Sequence, residues 1–149
     1  MNKLKLYPPT YLLIFLLAVI ALHFLLPLAR IIPSPWNGIG VIFLAAGVVI
    51  NVQADGLFHR SGTTVQPDGD PGTLLTQGFF RYSRNPMYFG FALTLFGAAF
   101  LFGTLSPFLT VPVFMVLIER NFIRGEEKNL ERKFGQEYLE YKLSVRRWI

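Results

Sequence analysis

From Met87 to Ile118 the chain runs for 32 residues without one charged side chain. Tyr11 to Leu28, reading YLLIFLLAVIALHFLLPL, is a second such run, with His23 its one ionisable group. Crossing the hydrocarbon core of a bilayer takes about 20 mostly apolar residues. The first run is too long for one crossing. Gly103-Thr104-Leu105-Ser106-Pro107 divides it, with Ser106 as N-cap and Pro107 at the first helical position. Trp36 to Ala54 is a weaker span, richer in Gly and ending in Asn51 and Gln53. The expected fold is therefore all-α and polytopic. A single domain over residues 1–149 carries transmembrane helices at about 10–29, 36–54, 87–103 and 107–123. A cytoplasmic loop, 56–86, and an amphipathic cytoplasmic tail helix, 126–145, complete it. Lys3 and Lys5 precede the first span as they would in a signal peptide. Its length, and the Pro27, Arg30, Pro33 and Pro35 that follow, predict a retained helix instead.

Charged residues make up 15% of the chain, below the roughly 25% of soluble domains. Their placement sets the expected orientation, because cytoplasmic loops are enriched in Lys and Arg. With the N-terminus inside, thirteen of the fourteen Lys and Arg are cytoplasmic and Arg30 alone is outside. Both termini share the cytoplasmic side. The basic excess of +5 is thus explained by topology, and no nucleic-acid partner is expected. There are no cysteines, which excludes disulfides, thiolate metal sites and cysteine nucleophiles. Two histidines are too few for a histidine-rich metal site, and no metal is expected. His23 reads as structural and His59 as a solvated loop residue. Trp36 and Trp148 read as interfacial anchors, and Asp55 and Glu119 as boundary charges.

The polar segments carry the chemistry. In the tail, Leu130, Phe134, Tyr138, Tyr141 and Val145 recur at helical spacing and form one apolar face. Arg120, Arg124, Glu126 and Glu127 cluster where the last span ends, as either a salt-bridged helix end or a polar binding site. The 56–86 loop exceeds the usual length for a structureless connection and contains the turn formers Pro67-Asp68-Gly69-Asp70-Pro71-Gly72. Its last part, Gly78 to Gly90, sets Arg81, Arg84 and several aromatics beside a helix start. That is either an interfacial aromatic belt with topogenic arginines or a site for an anionic or nucleotide-like ligand.

Gly78-x-x-Arg81-x-x-Arg84-Asn85-Pro86-x-Tyr88-x-Gly90 resembles the first half of the signature of the integral-membrane methyltransferases. That family includes isoprenylcysteine carboxyl methyltransferases and related phospholipid methyltransferases. Arg124-x-Glu126-Glu127-x-x-Leu130-x-x-x-Phe134-Gly135-x-x-Tyr138-x-x-Tyr141 resembles the second half. Gly62-Thr63-Thr64-Val65-x-Pro67 is similar to the loop of short bacterial members. The resemblance covers about residues 56–147.

The resemblance implies an S-adenosylmethionine-dependent methyltransferase (EC 2.1.1.-) in a multi-pass membrane protein. The cofactor would sit at the cytoplasmic face. One wall of its site would comprise Arg81, Tyr82, Arg84, Asn85, Pro86, Tyr88 and Gly90, the other Arg124, Glu126, Glu127 and Tyr138. Arg120, Arg124 and Glu127 are the expected catalytic residues, the arginines to orient acceptor or cofactor and Glu127 as polar anchor or base. These residue types suit the ligand, whose carboxylate pairs with Arg and whose ribose and ammonium pair with carboxylates. Glycine motifs of a Rossmann cofactor site are absent.

The expected acceptor is lipophilic and enters from the bilayer between helices. Asn85 stands where the family has His, and an amide cannot take up a proton. A carboxylate acceptor needs no deprotonation near neutral pH, so isoprenylcysteine-type O-methylation is the first expectation. Transfer would be direct, with inversion at the methyl carbon. Phospholipid or small-molecule N-methylation, with Glu126 or Glu127 as base, is the alternative. A membrane protein that binds without catalysis is another. An NADPH-dependent sterol-type reductase is disfavoured by length.

Overall fold

Two prolines at the start of α1 (Pro8–Leu25) occupy positions whose amides have no helical partner anyway. The computed structural model describes residues 6–63 and 69–149. Lys3, Lys5, Thr64, Val65, Pro67 and Asp68, which bear on the expectations above, lie outside the described residues. A 3-10 turn, Trp36–Ile39, leads into α2 (Gly40–Arg60). Pro86, again at the first turn, opens α3 (Pro86–Phe102). The next helical stretch, α4, runs over Leu105–Phe134, with a single π turn at Glu119–Ile123. α5 (Gln136–Ser144) follows after Gly135.

The fold is all-α. Among the described residues the nearest thing to a strand is one isolated bridge between Arg30 and Thr104. Pro8–Leu25, Trp36–Arg60 and Leu105–Phe134 are each long and apolar enough to cross a membrane. α3 is as apolar, and its 17 residues reach about 26 Å, the short end of a spanning helix. Val19, Leu95, Phe114, Ile118 and Ile123 are fully buried between the helices. Leu13, Leu17, Ile42, Val49 and Val113 face outward, as side chains in contact with lipid would.

Between α2 and α3 the contact is backbone to backbone. A Cβ on Gly97 would lie 2.7 Å from the Gly40 carbonyl oxygen, and one on Gly47 would lie 2.6 Å from that of Gly90. Lipid tails are as apolar as Leu, so helices in a bilayer gain by such close packing rather than by escaping water. Gly90, one of the residues the resemblance places in the cofactor wall, thus belongs to this helix contact: its Cβ would collide with the Asn51 side-chain amide and the Gly47 carbonyl.

The hairpin turn is locked to the far end of α1. Gly103, at φ +70°, ends α3 in a left-handed conformation. Its carbonyl accepts from the amides of Ile31 and Ile32 at 2.9 and 3.0 Å. Helix four starts at Leu105, with Thr104 rather than Ser106 at the N-cap position. The reason is that Ser106 is committed elsewhere: its hydroxyl donates to the carbonyls of Leu26, just past α1, and of Leu22 within it, at 2.6 and 3.3 Å. His23 meets Thr104 Oγ1 at 3.0 Å and stacks on Phe102, which is the structural role expected of it.

Two other boundaries differ from the sequence pattern. α2 continues through Asp55 and His59 to Arg60, because a helix that leaves the apolar layer can stay helical with polar residues. The tail pattern at 126–145 is split at Gly135, whose φ of +51° and ψ of −121° no helix tolerates. α4 therefore carries the pattern to Phe134, and α5 turns Tyr138 and Tyr141 back into the protein, where both are buried.

Candidate functional site

Antiparallel packing brings the start of α1, the end of α2, the start of α3 and the polar half of α4 to one end. Just before α3, Gly78 (φ +58°) opens a 3-10 turn, Gly78–Arg81. Phe80 of that turn is buried with Ala54 and Leu75, and its carbonyl accepts from the Tyr141 hydroxyl at 2.7 Å. This anchors the segment 83–85 against residues that follow α5. The Arg84 amide donates to the Arg146 carbonyl at 3.0 Å. The Asn85 side-chain amide and the Ser83 hydroxyl both donate to the Arg147 carbonyl, at 3.0 and 3.3 Å.

With its backbone pinned, Arg84 points inward, and its side chain is 9% exposed. It pairs with Glu127 of α4, Nη2 to Oε1, at 3.2 Å. Arg147 takes the same carboxylate with both arms of its fork, Nε to Oε1 at 3.0 Å and Nη2 to Oε2 at 2.7 Å. Its remaining arm, Nη1, reaches Glu119 Oε1 at 2.9 Å. Arg124 holds Glu119 from the other side at 3.1 Å. Glu119 is thus the join of an alternating chain of charges, Arg84, Glu127, Arg147, Glu119 and Arg124, and more than a boundary charge. Arg84 Nε and Nη1 are buried and complete no hydrogen bond among the described residues; the Tyr138 hydroxyl, equally buried and without a completed bond, lies near enough to feel the Arg84 charge.

Beside this chain lies a cavity of about 410 Å³, within the roughly 300–1,000 Å³ usual for small-molecule sites. Arg84, Asn85, Pro86, Tyr88 and Glu126 line it together with apolar Phe58, Met87, Phe91 and Leu130. The Tyr88 hydroxyl donates to Glu126 Oε1 at 2.5 Å. A smaller recess of about 70 Å³ adjoins it and shares Arg84, Asn85 and Glu126. Glu127, Tyr138 and Tyr141 line that recess. Gly69 and Pro71 of the loop also border the larger cavity, and between them Asp70 is held by Lys133 of α4.

Burial dominates the phenols. It pushes the Tyr138 hydroxyl up to about 12, with the Glu127 charge as second cause. Tyr141 is raised further, by burial first and by Tyr138 second. Both phenols stay neutral across the physiological range, and Tyr141 donates to the Phe80 carbonyl. Arg147 is held more firmly protonated, first by its hydrogen bonds to Glu127.

Of the residues expected from sequence, Arg84, Asn85, Pro86, Tyr88, Glu126, Glu127 and Tyr138 come together around these two spaces. Arg81 and Tyr82 are exposed, Tyr82 at 70%, and border neither. Arg120 and Arg124 lie exposed on α4 and border neither. Arg147 was not expected. Its one sequence signal is the Arg146-Arg147-Trp148 run beyond the amphipathic pattern, and Trp148 packs against the helical core. Among the described residues no group of three or more His, Asp or Glu is placed to hold a metal.

Comparison with known proteins gives the site its context. The family model described as "Phospholipid methyltransferase" matches residues 36–137, from the turn before α2 to the start of α5. The chain belongs to the phospholipid methyltransferase family. It is also similar to an uncharacterized protein of Haemophilus influenzae, 40% identical over 63 residues, which is 42% of this chain and the whole of that relative. No solved structure matches. Membership, with the membrane-length helices, makes the chain an integral-membrane methyltransferase. The family match takes in Arg84, Glu126 and Glu127 and stops short of Arg147.

Proposed function

We propose that this methyltransferase uses S-adenosylmethionine, held in the cavity between α3 and α4 at the cytoplasmic face, to methylate a lipophilic acceptor. The observation that carries the reading is Arg84. Its Nε and Nη1 are buried and complete no hydrogen bond among the described residues; beside them lie the Tyr138 hydroxyl, itself without a partner there, and a cavity of cofactor size. A buried cation with unmet donors is costly unless something accepts from them. A carboxylate matches that geometry, and the amino-acid end of the cofactor carries one.

The rest of the fit follows from residue chemistry. Glu126, oriented by Tyr88, supplies a carboxylate on the cavity wall for hydroxyl or ammonium groups. Phe58, Phe80 and Phe91 supply faces for a purine and for a sulfonium. Bound there, the cofactor supplies an electrophilic methyl group. The chain's own contribution is placement and exclusion of water by the apolar wall. The apolar wall formed by the start of α1 with Met87 and Phe91 suits an acyl or prenyl chain arriving from the bilayer. The cytoplasmic orientation rests on the distribution of Lys and Arg, and it puts the cavity where the cofactor is made.

For the acceptor head, a carboxylate is the first reading. Asn85 cannot serve as a base, and its amide is already given to the Arg147 carbonyl. A carboxylate needs no base. Glu126 on the cavity wall favours the second reading, an amine acceptor such as a phospholipid headgroup, for which Glu126 would take the proton. The experiment is transfer of labelled methyl from S-adenosylmethionine into membrane lipids and lipidated thioether acids, followed by mild alkali. Label released as methanol identifies an ester and O-methylation. Label that survives alkali and is recovered as a methylated amine on acid hydrolysis identifies N-methylation. No transfer to either class, with a folded enzyme, removes both readings.

A further inference from the structure

Residues 145–149 follow α5 and lie beyond the family match, which ends at residue 137. They nevertheless return to the site. Arg147 is fixed there by its main chain and its side chain together. Its carbonyl accepts from Asn85 and Ser83, and its guanidinium donates to both Glu127 and Glu119.

Glu127 is 6% exposed and faces two guanidiniums. Arg147 takes both of its oxygens in a bidentate pair. Arg84 touches one oxygen with one nitrogen, at 3.2 Å. The division is unequal, and it leaves Arg84 Nε and Nη1 uncommitted to any carboxylate among the described residues, with the neutral Tyr138 hydroxyl beside them. Without Arg147, Glu127 would be a buried carboxylate with Arg84 as its nearest cation. A buried charge takes whatever pairing is in reach, so Glu127 would engage the donors that Arg84 now holds open.

We propose that Arg147 is a positioning residue: by occupying Glu127 it keeps Arg84 available to bind the carboxylate of the cofactor. Asn85 takes part by holding the Arg147 carbonyl, which gives this Asn a use that needs no proton transfer. The inference rests on the reading that the cavity holds S-adenosylmethionine.

The test is calorimetric binding of two ligands to detergent-purified protein. S-adenosylhomocysteine carries the amino-acid carboxylate, and methylthioadenosine lacks it. The wild type binds both if the site reading holds. Arg147→Ala is expected to weaken S-adenosylhomocysteine on the order of tenfold or more while leaving methylthioadenosine within about twofold. Arg147→Lys, which keeps a charge for Glu127, is expected to recover part of the loss. If Arg147→Ala does not fold, Arg147→Gln carries the same comparison. Equal weakening of both ligands would mean that Arg147 merely supports the fold, and no weakening of either would mean that Arg84 does not depend on it. Both results overturn the inference while leaving the site reading in place. A folded wild type that binds neither ligand overturns the site reading, and the inference with it.

Discussion

Arg84 and Glu127, one from the segment before α3 and one from the polar half of α4, meet at 3.2 Å with side chains 9% and 8% exposed. The pair joins the two halves of the family signature in space. Because Arg147 also holds Glu127, the two partners are not equivalent. Removing Arg84 leaves Glu127 paired. Removing Glu127 leaves two cations facing each other. Glu127→Ala should therefore cost about 3–5 kcal/mol of stability, and Arg84→Ala clearly less. Thermal unfolding in detergent measures both, and the reverse order would contradict the charge arrangement.

Tyr88 fixes Glu126 through a hydrogen bond to a carboxylate, a kind worth roughly 1.5–3 kcal/mol. Tyr88→Phe should preserve the fold and weaken cofactor binding on the order of tenfold. Calorimetry reads the affinity and circular dichroism the fold. Unchanged affinity would mean that the orientation of Glu126 does not matter to the ligand.

Tyr138 and Tyr141 should titrate late. Burial raises Tyr138 to about 12 and Tyr141 above it. A folded-state pKa above the unfolded value favours the native state while the group is protonated. That contribution is complete below about pH 10, the unfolded value, and is lost as pH rises from there through the native values. A phenolate absorbance titration should show these two lagging the exposed tyrosines, with unfolding accompanying their ionisation. Ionisation of all six Tyr residues near pH 10 in a folded sample would refute it.

The glycines of α2 and α3 predict a contrast. Gly97→Ala puts a methyl 2.7 Å from a backbone oxygen and should cost about 1–3 kcal/mol by forcing the helices apart. Gly56→Ala meets nothing within 4 Å, and should be neutral or stabilising by up to about 1 kcal/mol, through helix propensity. Thermal shift on the two variants decides it, and equal effects would contradict the backbone contact.

Much of this was legible in the sequence. The charge-free runs gave the spans, since a long apolar stretch has few other places to go. Arg84, Glu126 and Glu127 were legible because each sits at the edge of such a run, where a charge is conspicuous. Arg147 was not, since its partners Glu119 and Glu127 lie at distances that no periodicity links. Gly135 was hidden inside an apolar spacing of four, four and three that continues across it although the helix does not. Pattern reports which faces are apolar, and a single left-handed glycine can redirect one without disturbing the pattern. The length of α2 was missed for a related reason: the apolar layer ends near Ala54, whereas the helix ends at Arg60.

The most direct measurement is calorimetric titration of S-adenosylmethionine into the detergent-purified protein, beside Arg84→Ala. The site as described predicts micromolar binding by the wild type and a loss on the order of tenfold or more in the variant, the equivalent of one bidentate carboxylate contact. Binding that is unaffected by Arg84→Ala, or a folded wild type that does not bind, would contradict it.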